Sequence, residues 1–338
     1  METKCLPADA ESIALASQLL AAGQVVAFPT ETVYGLGADA LNESAVRAVF
    51  AAKERPADNP LIVHVAQREQ LNGLCVVTPM AAALMDAFWP GPLTLLLPKT
   101  SRVPDVTTAN LPSVAVRCPS HPVAHELLRV CRLPIAAPSA NRSGRPSPTA
   151  AAHVMEDMQG RIPLILDGGA CEVGVESTVL DATGDTPCIL RPGAVTDAMI
   201  RAVVGACSVA DSVMRPLREG EAAPSPGMRH RHYAPRAAMT VFVGPDDRVC
   251  AEMLRRYDAA ENACILCHTH MLPVLGARRA LTLGDTPEEG AHLLFERLRE
   301  IDETDCALIL AHGWPEEGAA LAVMNRMARA AAFDVIHL

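Results

Sequence analysis

Apolar runs of strand length alternate with stretches of helical period along the chain, and this alternation predicts an α/β protein. The first helix is predicted within "DAESIALASQLLAAG", with Asp9 as its cap and Gly23 as its stop. "QVVAF" follows as a buried strand. Asn42 is placed to cap a helix running through Phe50. Thr78 and Pro79 supply a capping hydroxyl and a first-turn proline for another. Further strands are predicted at "LIVHV" (61–65), "LTLLL" (93–97), "VAVR" (114–117), "PIAA" (134–137), "PLILD" (163–167), "TVLDA" (178–182) and "CILR" (188–191). Thr149 and Thr196 are predicted to cap two more helices.

The pattern breaks near residue 207. "REGEAAPSPGMRHRHYAPRA" (218–237) is rich in proline, poor in apolar residues and carries a basic cluster, so 207–237 reads as an interdomain linker. Beyond it, "MTVFVG", "ACILCHTH", "ALTL" and "CALILA" alternate with helical stretches such as "PEEGAHLLFERLREI". The expected division is therefore a first domain over 1–206, the linker, and a smaller α/β unit over 238–338.

Composition narrows the function classes. A hydrophobic content of 50% supports buried cores in about two domains. The net charge of −10 argues against a general nucleic-acid binder, and 3% aromatics argues against a base-stacking platform. No apolar run reaches the length of a membrane span, and "METKCLPADAES" lacks a signal-peptide pattern, so a cytoplasmic protein is expected. Eleven scattered cysteines read as reduced, mostly buried thiols.

Of the 29 basic residues, three are lysines: Lys4, Lys53 and Lys99. One of them stands beside an arginine in "KERPADNP" (53–60), a loop braced by prolines. A compact ammonium next to a planar guanidinium suits a phosphate chain; a solvated turn is the plainer alternative. "GLGADA" (35–40) fits G-x-G-x-x-A, but the helix cap comes only at Asn42, so a tight turn is expected rather than a dinucleotide site. No P-loop pattern occurs. "CILCH" (264–268) has haem-attachment spacing on a strand-like run. Zinc through Cys264, Cys267, His268 and His270 lacks a second ligand pair, which leaves buried thiols as the default. "APSANRSGRPSPT" (137–149) gathers hydroxyls, amides and free backbone N–H groups that can wrap an anion, or form no more than a polar loop. Arg117 and Arg191 each end an apolar strand, and polar groups at strand ends facing one crevice make a ligand site in an open α/β sheet.

The runs "FPTETVYGLGADA", "KERPADNPLIVHV", "FWPGPLTLLL", "VAVRCPSHP", "PIAAPSANRSGRPSPT", "GVESTVLD", "LRPGAV" and "SPGMRHRHYAP" together resemble the YrdC family, and more closely its two-domain branch, the L-threonylcarbamoyladenylate synthases. The resemblance implies a twisted mixed-sheet YrdC-like catalytic domain followed by a smaller Rossmann-like α/β domain. It implies synthesis of threonylcarbamoyl-AMP from L-threonine, bicarbonate or CO2, and ATP with Mg2+, releasing pyrophosphate. The product would pass to a separate transferase machinery that makes threonylcarbamoyladenosine beside the tRNA anticodon.

By the same resemblance Lys53 and Arg55 match the family's K-x-R and carry the phosphate-transfer role, and Ser139 and Asn141 match its S-x-N. Asn59, Ser113, Ser147, Arg191 and Tyr233 fall at further ATP positions. Thr32, His64, Arg117, Ala137 and Ser177 fall at L-threonine positions. Residues 218–237 would close over the nucleotide as a lid. A carbamoyl-phosphate-dependent transferase and an RNA-binding module are the competing readings; the chain has no added zinc-finger or acylphosphatase-like segment, and its acidic balance weakens the second.

Overall fold

The computed structural model describes residues 1–215 and 233–338. Two sheets organise them. The larger has eleven strands in the spatial order Lys4–Pro7, Leu164–Asp167, Val26–Phe28, Gly35–Asp39, Ile135–Ala136, Ile62–His64, Ser113–Arg117, Leu93–Pro98, Thr178–Asp181, Cys188–Arg191 and Ser208–Val209. Parallel and antiparallel pairings are mixed within it. The smaller sheet has five strands, all paired in parallel, in the order Ala280–Thr282, Ala263–Cys267, Leu308–His312, Ala238–Val243 and Val335–His337. The expected mixed-sheet domain and smaller parallel α/β unit are both present.

Local chemistry explains four of the helix starts. Asp9 accepts from the Ser12 N–H at the start of the helix Ala10–Ala21. Asn42 accepts from Ser44 and Ala45 ahead of Glu43–Lys53, and Thr78 and Thr196 cap Pro79–Phe88 and Asp197–Val204. Each side-chain acceptor satisfies an N–H that the helix leaves over.

Two expectations need correction. Thr149 is not a cap: the helix Ala151–Met158 has Ala150 at its N-cap, without a side-chain hydrogen bond. His153 Nδ1 accepts the Thr149 N–H at 3.3 Å instead, so the end is closed from within the helix. "GLGADA" is not a turn but the buried strand Gly35–Asp39, paired antiparallel to Val26–Phe28. Its glycine serves close packing. A Cβ at Gly37 would lie 2.7 Å from both Ile135 Cγ2 and Phe28 Cε1.

Residues assigned to the linker divide. Ser208–Val209 extend the larger sheet beside Cys188–Arg191, while residues 216–232, the main part of the expected lid, lie outside the described residues, Arg229 to His232 included. The two domains share one apolar cluster. Val33 and Val175 from the first pack with Leu294, Phe295, Leu298, Met324 and Met327 from the second. No helix among the described residues is long and apolar enough to cross a membrane.

Gly37→Ala is expected to cost about 1–3 kcal/mol through overpacking of this buried strand. Urea unfolding of the variant checks it; an unchanged midpoint would show that Phe28 and Ile135 make room.

Candidate active site

A cleft opens where the carboxyl ends of Ile62–His64, Ser113–Arg117 and Cys188–Arg191 meet the loops around residues 30–34, 137–147 and 174–177. It is lined by Thr32, Arg55, His64, Arg117, Ala137, Ser139, Asn141, Ser147, Ser177, Arg191 and Tyr233, together with Glu176. Eleven of the fourteen residues singled out from the sequence thus face one space. Lys53, Asn59 and Ser113 do not line it.

Lys53 ends its helix almost fully buried, and its ammonium donates to the backbone carbonyls of Ser139 and Asn141, 2.5 Å each. It braces the S-x-N loop from behind. Burial, then the charge of Arg55, pushes its pKa well below the usual lysine value. The loop is also tied internally: Ser139 Oγ donates to Asn141 Oδ1, and Asn141 Nδ2 donates to the carbonyls of Arg142 and Arg145 at 2.8 and 2.9 Å. Asn59 is fully buried, and both of its amide atoms lack a partner among the described residues. A buried unpaired amide is costly unless a ligand completes it. Ser113 begins its strand opposite Pro98, at the far end from Arg117.

The cations of the cleft are held rigidly. Arg55 Nη2 donates to the Asn59 carbonyl at 3.2 Å. Arg191 donates through Nε and Nη2 to the Ser177 carbonyl at 3.1 and 3.0 Å, and Nη2 also reaches Ser177 Oγ. Ser177 Oγ in turn meets Thr94 Oγ1 at 2.8 Å. Burial brings both Arg55 and Arg191 down to about 10, which leaves them charged at neutral pH. His64 is pushed down to about 3 by burial and then by the Arg117 charge, so its ring is neutral. Its Nδ1 lies 3.1 Å from the Ile62 carbonyl.

Arg117 already has a partner. Its Nη2 lies 2.7 Å from Glu31 Oε1, both side chains are buried, and Nη1 donates to Thr32 Oγ1 at 3.0 Å. Burial works to raise the Glu31 carboxyl, but Arg117 and nearby backbone N–H donors override it, and the net shift is downward.

A second buried carboxylate, Glu176, lines the cleft itself. It accepts from Ser147 Oγ at 2.5 Å and from Arg326 Nε at 2.8 Å. Arg326 comes from the smaller domain and is wholly buried; Nη2 also donates to the Glu176 carbonyl and Nη1 to the Pro192 carbonyl. Burial again opposes ionisation of Glu176, and Arg326 and Arg191 outweigh it. Tyr233 stacks on Phe295 at 5.1 Å with the Arg326 guanidinium 5.9 Å from its ring, so its environment is made largely by the smaller domain.

Glu31, Glu176 and Arg326 were not picked out from the sequence. The first two sit inside the quoted runs "PTETV" and "GVEST", where a carboxylate among hydroxyls was a signal available to be read. Arg326 lies on the amphipathic helix Ala320–Ala330, and nothing in its neighbourhood along the chain sets it apart.

This geometry defines a site for an anionic ligand together with a small polar one, at the strand ends of a mixed sheet. Residues 18–193 match the Sua5–YciO–YrdC family, described as telomere recombination, and residues 195–332 match the threonylcarbamoyl-AMP synthase C-terminal domain. The chain belongs to this family, in its two-domain form. It is 46% identical to a threonylcarbamoyl-AMP synthase of Pyrococcus abyssi, over 96% of this chain and 95% of that one. A threonylcarbamoyl-AMP synthase of Bacillus subtilis is 44% identical over 96% and 94%. The crystal structure of P. abyssi Sua5 complexed with L-threonine superposes with a TM-score of 0.91 at 43% identity, covering 100% of this chain and 99% of that one.

Removing Arg326 leaves Glu176 buried without its main counter-charge. Arg326→Leu is expected to cost about 3–5 kcal/mol, and Glu176→Leu in the same chain to recover most of it. Denaturant unfolding of the wild type, single and double variants measures the coupling; additive effects would show that the pair is not what holds this contact.

Proposed function

We propose that this chain is a threonylcarbamoyl-AMP synthase, a nucleotidyltransferase that joins L-threonine, bicarbonate or CO2, and ATP and releases pyrophosphate. The observation that carries this reading is the likeness to such synthases over nearly the whole chain, both domains included. The cleft's chemistry agrees with it.

The reaction takes two steps. The threonine amine adds to CO2, or to bicarbonate with loss of water, giving a carbamate. A carbamate oxygen then forms a bond to the α-phosphorus of ATP while the bond to the pyrophosphate oxygen breaks. Such a transfer rests on alignment and on stabilising oxyanion charge, with no covalent enzyme intermediate. Arg55 and Arg191 offer guanidiniums to the nucleotide, and the S-x-N loop offers Ser139 and Asn141. Lys53 serves the phosphates through that loop. An arriving triphosphate favours its ammonium form and counteracts the downward pull of burial. Asn59, Ser147 and Tyr233 fit the remaining nucleotide contacts, and Ser113 enters only if the ligand extends along its strand. Arg117 is suited to the threonine carboxylate, with Thr32, neutral His64, Ser177 and the Ala137 backbone around the amine and hydroxyl. A pocket that hydrogen-bonds that hydroxyl rejects analogues lacking it.

Mg2+ enters with the ATP phosphates. Glu176, the carboxylate that lines the cleft, is engaged by Arg326, and Glu31 behind the lining is engaged by Arg117, so among the described residues the lining offers the ion no uncommitted carboxylate. The product, an activated mixed anhydride, is suited to a downstream transferase acting on tRNA.

Pyrophosphate release from ATP with Mg2+ and bicarbonate, with and without L-threonine and with serine as control, tests the reading. Strict dependence on threonine and bicarbonate is expected. Release driven by carbamoyl phosphate instead, or none from folded protein, would overturn it. Lys53→Ala is expected to keep the wild-type circular dichroism and lose turnover by roughly 100-fold, the scale of misplacing a positioned group by about 1 Å, because the S-x-N loop loses its brace. Normal turnover in that variant would remove Lys53 from the assignment.

A further inference from the structure

The smaller domain holds a second cluster of chemically capable side chains, none of which lines the cleft. Its five strands run parallel, so their carboxyl ends share one edge, the edge where open α/β sheets bind ligands. Three adjacent strands each deliver a group there. His268 follows Ala263–Cys267, His312 ends Leu308–His312, and Asp246 begins the helix after Ala238–Val243. One donor atom from each lies within 4.8 Å of the other two.

The cluster is not a chance meeting of surface groups. His268 is 7% exposed and His312 1%, and His268 Nε2 is buried without a hydrogen-bond partner among the described residues. A buried ring nitrogen left unpaired costs stability unless something completes it. His312 Nε2 is 3.8 Å from Asp246 Oδ1. The other oxygen of Asp246 is fixed by His270 Nε2 at 2.8 Å, and His270 Nδ1 is fixed by Asp285 at 2.7 Å. This is the outer support that orients a ligating carboxylate.

We propose that His268, His312 and Asp246 form a binding site for a divalent transition metal ion of the zinc class, with His270 and Asp285 supporting Asp246. Two imidazoles and one carboxylate are a donor set that such ions favour, with water completing the shell. A tetrahedral shell with bonds of about 2.0–2.1 Å spaces its donors at roughly 3.3 Å. Reaching that spacing takes a turn of the His268 ring out of its stack with His312 and Trp314, whose centroids are 4.0 and 4.4 Å away. Cys264 and Cys267, the thiols of the C-x-x-C-H run, lie buried within the strand and take no part.

The test uses the full chain, stripped with a chelator and titrated with Zn2+ alone by calorimetry, with Co2+ visible spectra as a second probe. One equivalent is expected to bind. His268→Ala and His312→Ala are each expected to weaken binding at least tenfold, and Asp246→Asn to do the same, while Cys264→Ser/Cys267→Ser leaves it unchanged. Circular dichroism of each variant establishes folding, and His268→Gln, closer in shape, replaces any alanine variant that fails to fold. No stoichiometric binding, or equal binding in folded His268 and His312 variants, would overturn the proposal. The readout is independent of adenylate synthesis, so its failure and that of the synthase reading are separate results.

Discussion

A guanidinium from the smaller domain neutralises a carboxylate in the wall of the larger domain's cleft, and much of the architecture rests on that contact. Arg326 is wholly buried and meets Glu176 with an Nε donor, the Glu176 carbonyl with Nη2 and the Pro192 carbonyl with Nη1. Glu176 in turn holds Ser147, and its neighbour Ser177 anchors Arg191. Without Arg326 the Glu176 carboxylate in the cleft wall would lose its main counter-charge, leaving Arg191 as the nearby cation that offsets it. A buried ion pair adds little net stability over apolar packing, but breaking one is expensive. It therefore fixes how the domains dock more than how strongly they fold. Arg299 repeats the device, reaching Asp157 at 2.6 Å and the Pro146 carbonyl at 2.6 Å across the same boundary.

The cleft is cationic inside a chain whose net charge is −10. Arg55 and Arg191 are oriented by backbone carbonyls and held in place before any ligand arrives. Such preorganisation favours stabilising charge that develops during a reaction, since little reorientation is then needed. It contributes little to long-range attraction of an anion, because the net charge of the chain opposes it.

Most of the fold was legible. Capping residues with short polar side chains announced the helices beginning after Asp9, Asn42, Thr78 and Thr196, and apolar runs between polar breaks announced the strands. Thr149 misled because His153, four residues on, supplies the acceptor in its place. Gly35 and Gly37 misled because glycine is used both for turns and for close approach, and only the distant Phe28 and Ile135 decide between them. In the site, the residues of local motifs could be read, whereas Arg326 could not. Its meaning comes from Glu176, 150 residues away in the chain. The sequence also placed Cys264 and Cys267 beside His268, while strand adjacency in the sheet supplied His312 and Asp246 as its real neighbours.

The pairing of Glu31 with Arg117 has a consequence for what kind of molecule the inner end of the cleft accepts. A carboxylate that reaches Arg117 must compete with one already 2.7 Å from it. A plain carboxylic acid that won this exchange would strand Glu31 as a buried anion. An amino acid brings its own ammonium, which can compensate the carboxylate it displaces. With Arg117 in its proposed role as the carboxylate site, one internal ion pair would be exchanged for two, and zwitterions would be favoured over simple acids before any side chain is inspected.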